Sequence, residues 1–201
     1  MTGARRCAWA GIAVAAVLAA SAALAQQPIR IRGPIAAVHG PTFTVNAGEA
    51  GMLKVKLAEK AGVFGVTNAK LADIKPGDFI GVGATPQADG SQRAIQVTIF
   101  AENLRGTGEG HRPWDRPNTT MTNATVDSTV AGVDGQVITV KYKDGEKKLI
   151  VGPDAVIRAY VPGSKDELKP GAHISIVNAT KLPDGTFETA RVTVGREGIV
   201  P

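Results

Sequence analysis

Along most of this chain, apolar residues alternate with polar ones in short runs. In MLKVKL (52–57), Leu53, Val55 and Leu57 fall on one face and Met52, Lys54 and Lys56 on the other. That period of two is the mark of a half-buried strand. VITVKYKDGEKKLIV (137–151) reads as a hairpin, with Asp144-Gly145 at the tip where the backbone needs positive φ. FIGVGA, AIQVTIF, HISIVNA and ARVTVG supply further strands, and only GVTNAKLADI (65–74) and GSKDELK (163–169) have room for a helical turn.

The pattern is written twice. At an offset of 94–95 residues VHGPTFTV (38–45) falls on VDGQVITV (133–140), and DIKPGDFIGV (73–82) on ELKPGAHISI (167–176). In the same order ADGSQRAIQVTI (88–99) falls on PDGTFETARVTV (183–194). Three blocks in register predict an internal duplication, each copy a small domain and too long for a solenoid repeat. Five or six short strands per copy favour a small barrel, which leaves no exposed edges. The fold class expected is therefore all-β: two tandem OB-like barrels of five to six strands, over residues 29–102 and 124–196. In the shared phrase, Pro76 and Pro170 preset a turn whose next residue, Gly77 or Gly171, can take positive φ. Ile74 and Leu168 just before it are expected to plug the barrel bottom. Asp78 faces Ala172 at the equivalent place, so the phrase reads as structural.

Composition adds a location. Residues 1–25 open with Arg5-Arg6, continue in an Ala-rich apolar run and end in Ala23-Leu24-Ala25, the layout of a cleaved export signal. The sequence thus places the protein in the periplasm. Cys7 is the only cysteine and leaves with that signal, so no disulfide, thiolate metal site or cysteine nucleophile is expected. Losing Arg5 and Arg6 lowers the net charge from +5 to +3, too mild to imply a nucleic-acid partner. No second apolar run reaches the ~18 residues of a spanning helix, so no membrane span is expected in the exported chain.

The segment between the copies, 103–123, resembles nothing in either. It holds Arg105, Glu109, His111, Arg112, Asp115 and Trp114, the one tryptophan outside the leader. Gly106, Gly108, Gly110, Pro113 and Pro117 argue against regular structure through it. A plain spacer, a tryptophan packed between barrels, and a ligand site built on these six residues are the open readings. As metal ligands, His111, Glu109 and Asp115 have the chemistry for zinc or copper but not the spacing of a preformed site.

Other chemistries lack their signatures. Gly106-x-Gly108-x-Gly110 has the wrong spacing for a dinucleotide fingerprint and no Lys-Ser/Thr after it. There is no G-x-S-x-G nucleophile elbow. Residues 124–201 carry ten basic and ten acidic side chains, so no oligonucleotide groove stands out. No cofactor and no enzymatic activity are expected.

The signal, the DIKPGD phrase, the closing ARVTV strand and the RGTGEGHRPWD run (105–115) followed by TTMTNATV (119–126) together resemble a bacterial exported family. It is a domain-of-unknown-function family built of small barrel modules, some of whose members bear a metal transporter permease label. The resemblance implies tandem OB-like modules and no agreed activity or catalytic residues. The permease label conflicts with a chain lacking membrane spans. The reading that follows is an exported, non-enzymatic cell-envelope binding or scaffolding protein, with an unknown envelope protein or glycan as partner. Its alternative is a periplasmic metal-binding accessory protein using the inter-barrel His/acid segment.

Overall fold

The computed structural model describes residues 29–132 and 135–201; the expected export signal, with Cys7, lies outside them. Twelve strands follow in order: β1 (Ile29–His39), β2 (Thr42–Asn46), β3 (Met52–Asn68), β4 (Phe79–Pro86), β5 (Gln92–Ile99) and β6 (Gly110–Pro113). Then come β7 (Thr120–Gly132), β8 (Gly135–Tyr142), β9 (Gly145–Val151), β10 (Val156–Pro162), β11 (His173–Lys181) and β12 (Phe187–Gly195). Among the described residues the helical pieces are short 3-10 turns: Leu71–Asp73 and Lys165–Glu167, where the sequence allowed them, and Gly48–Ala50 and Glu102–Leu104, where it did not. The protein is all-β, as expected.

The strands associate across the two expected copies, the sequence halves on either side of residues 103–123, rather than within each. The path β12-β11-β1-β2-β3 closes on itself through a parallel β12–β3 ladder. A second circuit, β5-β4-β7-β8-β9, closes through the short parallel β5–β9 pairing. Each closed unit takes three strands from one copy and two from the other. The expected partition into 29–102 and 124–196 is therefore corrected: the barrel around β1 is completed by residues 173–195, and the one around β7 by residues 79–99. The alternation was read correctly, but it fixes which face is buried and not whose core receives it.

The two cores follow the exchange. One gathers Ile31, Ile35, Phe43, Val45 and Val55 with Ile174, Ile176, Val192 and Val194. The other gathers Ile80, Val82 and Val97 with Val126, Ile138, Val140 and Leu149. Ile74 and Leu168 are plugs, as their position implies, but each fills the barrel begun by the other copy.

The repeated phrase is the joint. Asp73 and Glu167 cap their 3-10 turns, accepting from the backbone N–H of Lys70 (2.7 Å) and Ser164 (2.9 Å). Gly77 and Gly171 then turn the chain at φ 91° and 86°. Gly77 N–H donates to Val126 O at 2.9 Å, and Asp78 O accepts from Val126 N–H at 2.8 Å. The counterpart bonds are Gly171 N–H to Ile35 O at 2.8 Å and Ile35 N–H to Ala172 O at 2.9 Å. Each copy thus clips onto the first strand of the other. The tight turns at Asp89 and Asp184 also match, each carboxylate accepting from the N–H and hydroxyl two residues on, at 2.9 and 2.6 Å. Those hydroxyl and backbone bonds hold both carboxyls below their ordinary range.

Between the barrels, β3 and β10 run antiparallel, with Val66 opposite Tyr160, Phe64 opposite Pro162 and Asn68 opposite Arg158. β10 continues the sheet onto β5 in parallel. Phe79, Phe100 and Tyr160 pack beside this crossing, tilted and edge-to-face, with successive ring centroids 5.4 Å apart. Phe64, Val66 and Phe79 are buried there outside both barrel cores. The crossing is a third apolar contact that joins the two units.

One sheet through both cores predicts a single urea transition. Phe43→Ala and Leu149→Ala, in different cores, should each lower its midpoint, through a loss of about 3–5 and about 2–5 kcal/mol of stability respectively. A second transition left unshifted by either substitution contradicts a shared sheet.

Candidate functional site

The inter-copy segment is a strap with its own structure. Leu104 is buried in a 3-10 turn, Glu102–Leu104. Gly106 and Gly108 turn the chain at positive φ, and residues 110–113 then pair as β6 along β7, His111 opposite Thr122 and Arg112 opposite Met121. The expectation of irregular chain throughout is corrected here. The glycines bend the strap and leave Gly110–Pro113 free to add to a strand edge.

Trp114 packs the six-membered ring of its indole against β4 at Gly83. A Cβ on Gly83 would stand 2.4 Å from indole Cζ3 and 2.6 Å from Cη2, so only glycine leaves room for the ring. The indole is half-buried, and the backbone N–H of Trp114 donates to Thr119 O at 3.0 Å. The next residue, Asp115, forms an ion pair with Arg30 of β1, in the other barrel. Thr107 joins the same two units: its carbonyl accepts from Asn123 Nδ2 at 2.8 Å, and its hydroxyl receives Arg191 Nη1 at 3.3 Å. The strap spans both barrels, each exposed ion pair adding at most about 1 kcal/mol.

The six residues singled out in the sequence divide among three places. Glu109, His111 and Arg112 line one open pocket of about 370 Å³, together with Tyr142, Asp144 and Lys147 from the β8–β9 hairpin tip. Glu109 Oε1 accepts from Lys143 N–H at 3.1 Å, and Arg112 Nη1 donates to Gly108 O at 2.7 Å. These bonds fix the pocket walls. Arg105 lies elsewhere, bound to Glu102 (2.6 and 2.7 Å) and to Gly77 O at 2.9 Å, so it braces the joint. Its chelation by Glu102 raises its already high proton affinity and lowers that of Glu102. Trp114 and Asp115 serve the strap.

His111 Nδ1 and Thr122 Oγ1 are 2.8 Å apart across the β6–β7 pair. Partial burial, and then the charge of Lys147, hold the imidazole below its ordinary pKa. The ring is therefore neutral at pH 7 and gains charge only on acidification. The metal triad is not assembled: among the described residues no three His, Cys, Asp or Glu stand together as ligands, and Asp115 is turned to Arg30. Among the described residues no helix is long and apolar enough to cross a membrane.

Sequence reasoning missed Tyr142, Asp144 and Lys147 as partners of the strap. The hairpin itself was legible, but its juxtaposition with residues 109–112 follows from β6 adding to β7, which no periodicity announces. Compared with protein families, curated proteins and solved structures, the chain matches none.

Two outcomes are expected. Gly83→Ala should expel the indole and red-shift its emission, read on residues 26–201, where Trp114 is the sole tryptophan; an unchanged spectrum contradicts this packing. By NMR, His111 should titrate with a midpoint below 6.5, and Lys147→Gln should move it upward. The sign follows: the unfolded chain takes up the proton first, so the native state loses stability as pH falls below 6.5. The loss levels off below the folded midpoint.

Proposed function

We propose that the protein is an exported, non-enzymatic binding protein of the cell envelope, and that the pocket between the strap and the β8–β9 tip takes its ligand. The observation that carries this is the convergence of cations, carboxylates, an imidazole and a phenol at one open pocket. Such a lining suits a hydroxyl-rich ligand bearing charge of both signs, for which an envelope glycan fragment is the fitting class. Glu109 and Arg112 are engaged with the backbone and act as walls. His111, Tyr142, Asp144 and Lys147 supply the contacts.

In the same reading the two circuits are OB-like. Numbered from β1 or from β7, each has order 1-2-3-5-4, the third and fifth strands parallel and the first and fourth antiparallel. That connectivity and the doubled turns support a duplicated OB-like module and the bacterial exported family it resembles. Periplasmic location rests on the leader sequence. No observation favours the metal-accessory alternative over the glycan reading.

The test is calorimetric titration of the exported chain with soluble cell-wall oligosaccharides carrying free amino and carboxyl groups. Saturable binding is expected, weakened at least about tenfold by His111→Ala and by Lys147→Glu, with the sugar recovered intact. Binding unchanged in both variants, or none at millimolar sugar, contradicts the assignment.

A further inference from the structure

The strap breaks the near-symmetry of the molecule, and the break exposes a seat. On one side, β7 is paired with β4 over Thr120–Thr125, and β6 lies along its other edge at Thr120–Asn123. β8 takes over that edge from Thr125 onward. On the other side, β1 is paired with β11 over Ile29–Pro34, and β2 takes over its other edge from Ile35 onward. Asn123 stands opposite Gly81, and Arg32 opposite Ser175; Gly81 and Ser175 hold the same place in the repeated phrase. Ile29–Arg32 is thus the counterpart of the edge that β6 covers. Among the described residues no strand pairs with that edge.

The seat beside this edge has a counterpart too. Trp114 lies on Gly83; the residue in that place on β11 is Val177, 39% exposed. Val177 lines an open groove of about 380 Å³ with Phe64, Gly62, Leu104 and Arg191. Where one barrel holds an aromatic side chain, the other offers a free apolar hollow.

Charge names the occupant. Arg30 and Arg32 are exposed on β1, and Arg191 lies in the groove. Arg30 reaches one acid, Asp115; Arg32 and Arg191 have no carboxylate within ion-pair distance among the described residues. Asp115 itself, one residue after the seated Trp114, shows how a strand segment meets this arginine. We propose that Ile29–Arg32 and the Val177–Arg191 groove form a docking site for an extended acidic peptide of a partner protein. The partner strand adds to β1 as β6 adds to β7, seats a bulky apolar side chain over Val177, and places its carboxylates on Arg32 and Arg191. Strand addition supplies backbone bonds and the groove supplies selectivity. This site shares no residue with the glycan pocket.

The test uses the exported chain and a fluorescein-labelled peptide of alternating Val and Glu with one central Trp. Saturable binding is expected, weakened at least about tenfold by Arg32→Glu and by Arg191→Glu, and unaffected by His111→Ala. Hydrogen exchange at the Ile29–Arg32 amides should slow when peptide is added to the unsubstituted chain. No binding below about 1 mM, affinity unchanged in both arginine variants, or unprotected amides at saturation would each overturn the proposal.

Discussion

Everything in this fold depends on the crossing of β3 and β10. Each copy builds three strands of a barrel, then leaves it, and the two departing chains pair antiparallel with Val66 opposite Tyr160. Because the sites are equivalent in the two copies, this ladder maps onto itself when the copies are exchanged. Its backbone bonds and the packing of Phe79, Phe100 and Tyr160 commit the final two strands of each copy to the partner barrel. This exchange of strands between the two sequence halves has the connectivity of a domain swap within one chain. The Lys-Pro-Gly turn completes it by clipping each copy onto the first strand of the other through paired backbone bonds.

Symmetry of that kind would give two identical outer faces, and the strap removes the identity. It lies where β4 is bare, over Gly83, and β11 carries Val177 in the same place. One strand edge is covered by β6 and its counterpart on β1 is not. The charged pocket arises from the same asymmetry, since only the strap brings Glu109, His111 and Arg112 to the β8–β9 tip. Both candidate surfaces therefore follow from the strap that joins the two sequence halves.

Much of this was legible in the residues. Alternation located β3, β4, β5, β8, β9, β11 and β12 but not β1, β2, β6, β7 or β10; Asp144-Gly145 located a hairpin, and the doubled acid–aliphatic–Lys-Pro-Gly phrase located a plug and a turn. The acid in that phrase caps a 3-10 turn, a role that the sequence suggested at Glu167 and not at Asp73. Which barrel each plug enters was not legible, because a buried face carries no address: Ile74 would be apolar in either core. The strap was misread for a related reason. Glycines and prolines at 106–117 signal bends, but whether Gly110–Pro113 pairs with a neighbour depends on an edge that the rest of the fold supplies. Of the six side chains singled out there, three meet in a pocket and three brace the strap or the joint.

The exchange itself is open to direct measurement. A specific protease sequence inserted in the exposed turn between Pro117 and Asn118 would let the folded protein be cut into its two copies. Native mass spectrometry and gel filtration would then report their association. If each barrel is built from both copies, the two fragments stay together at the mass of the intact chain and separate only in denaturant. Two fragments that part under native conditions as independently folded barrels would contradict the account.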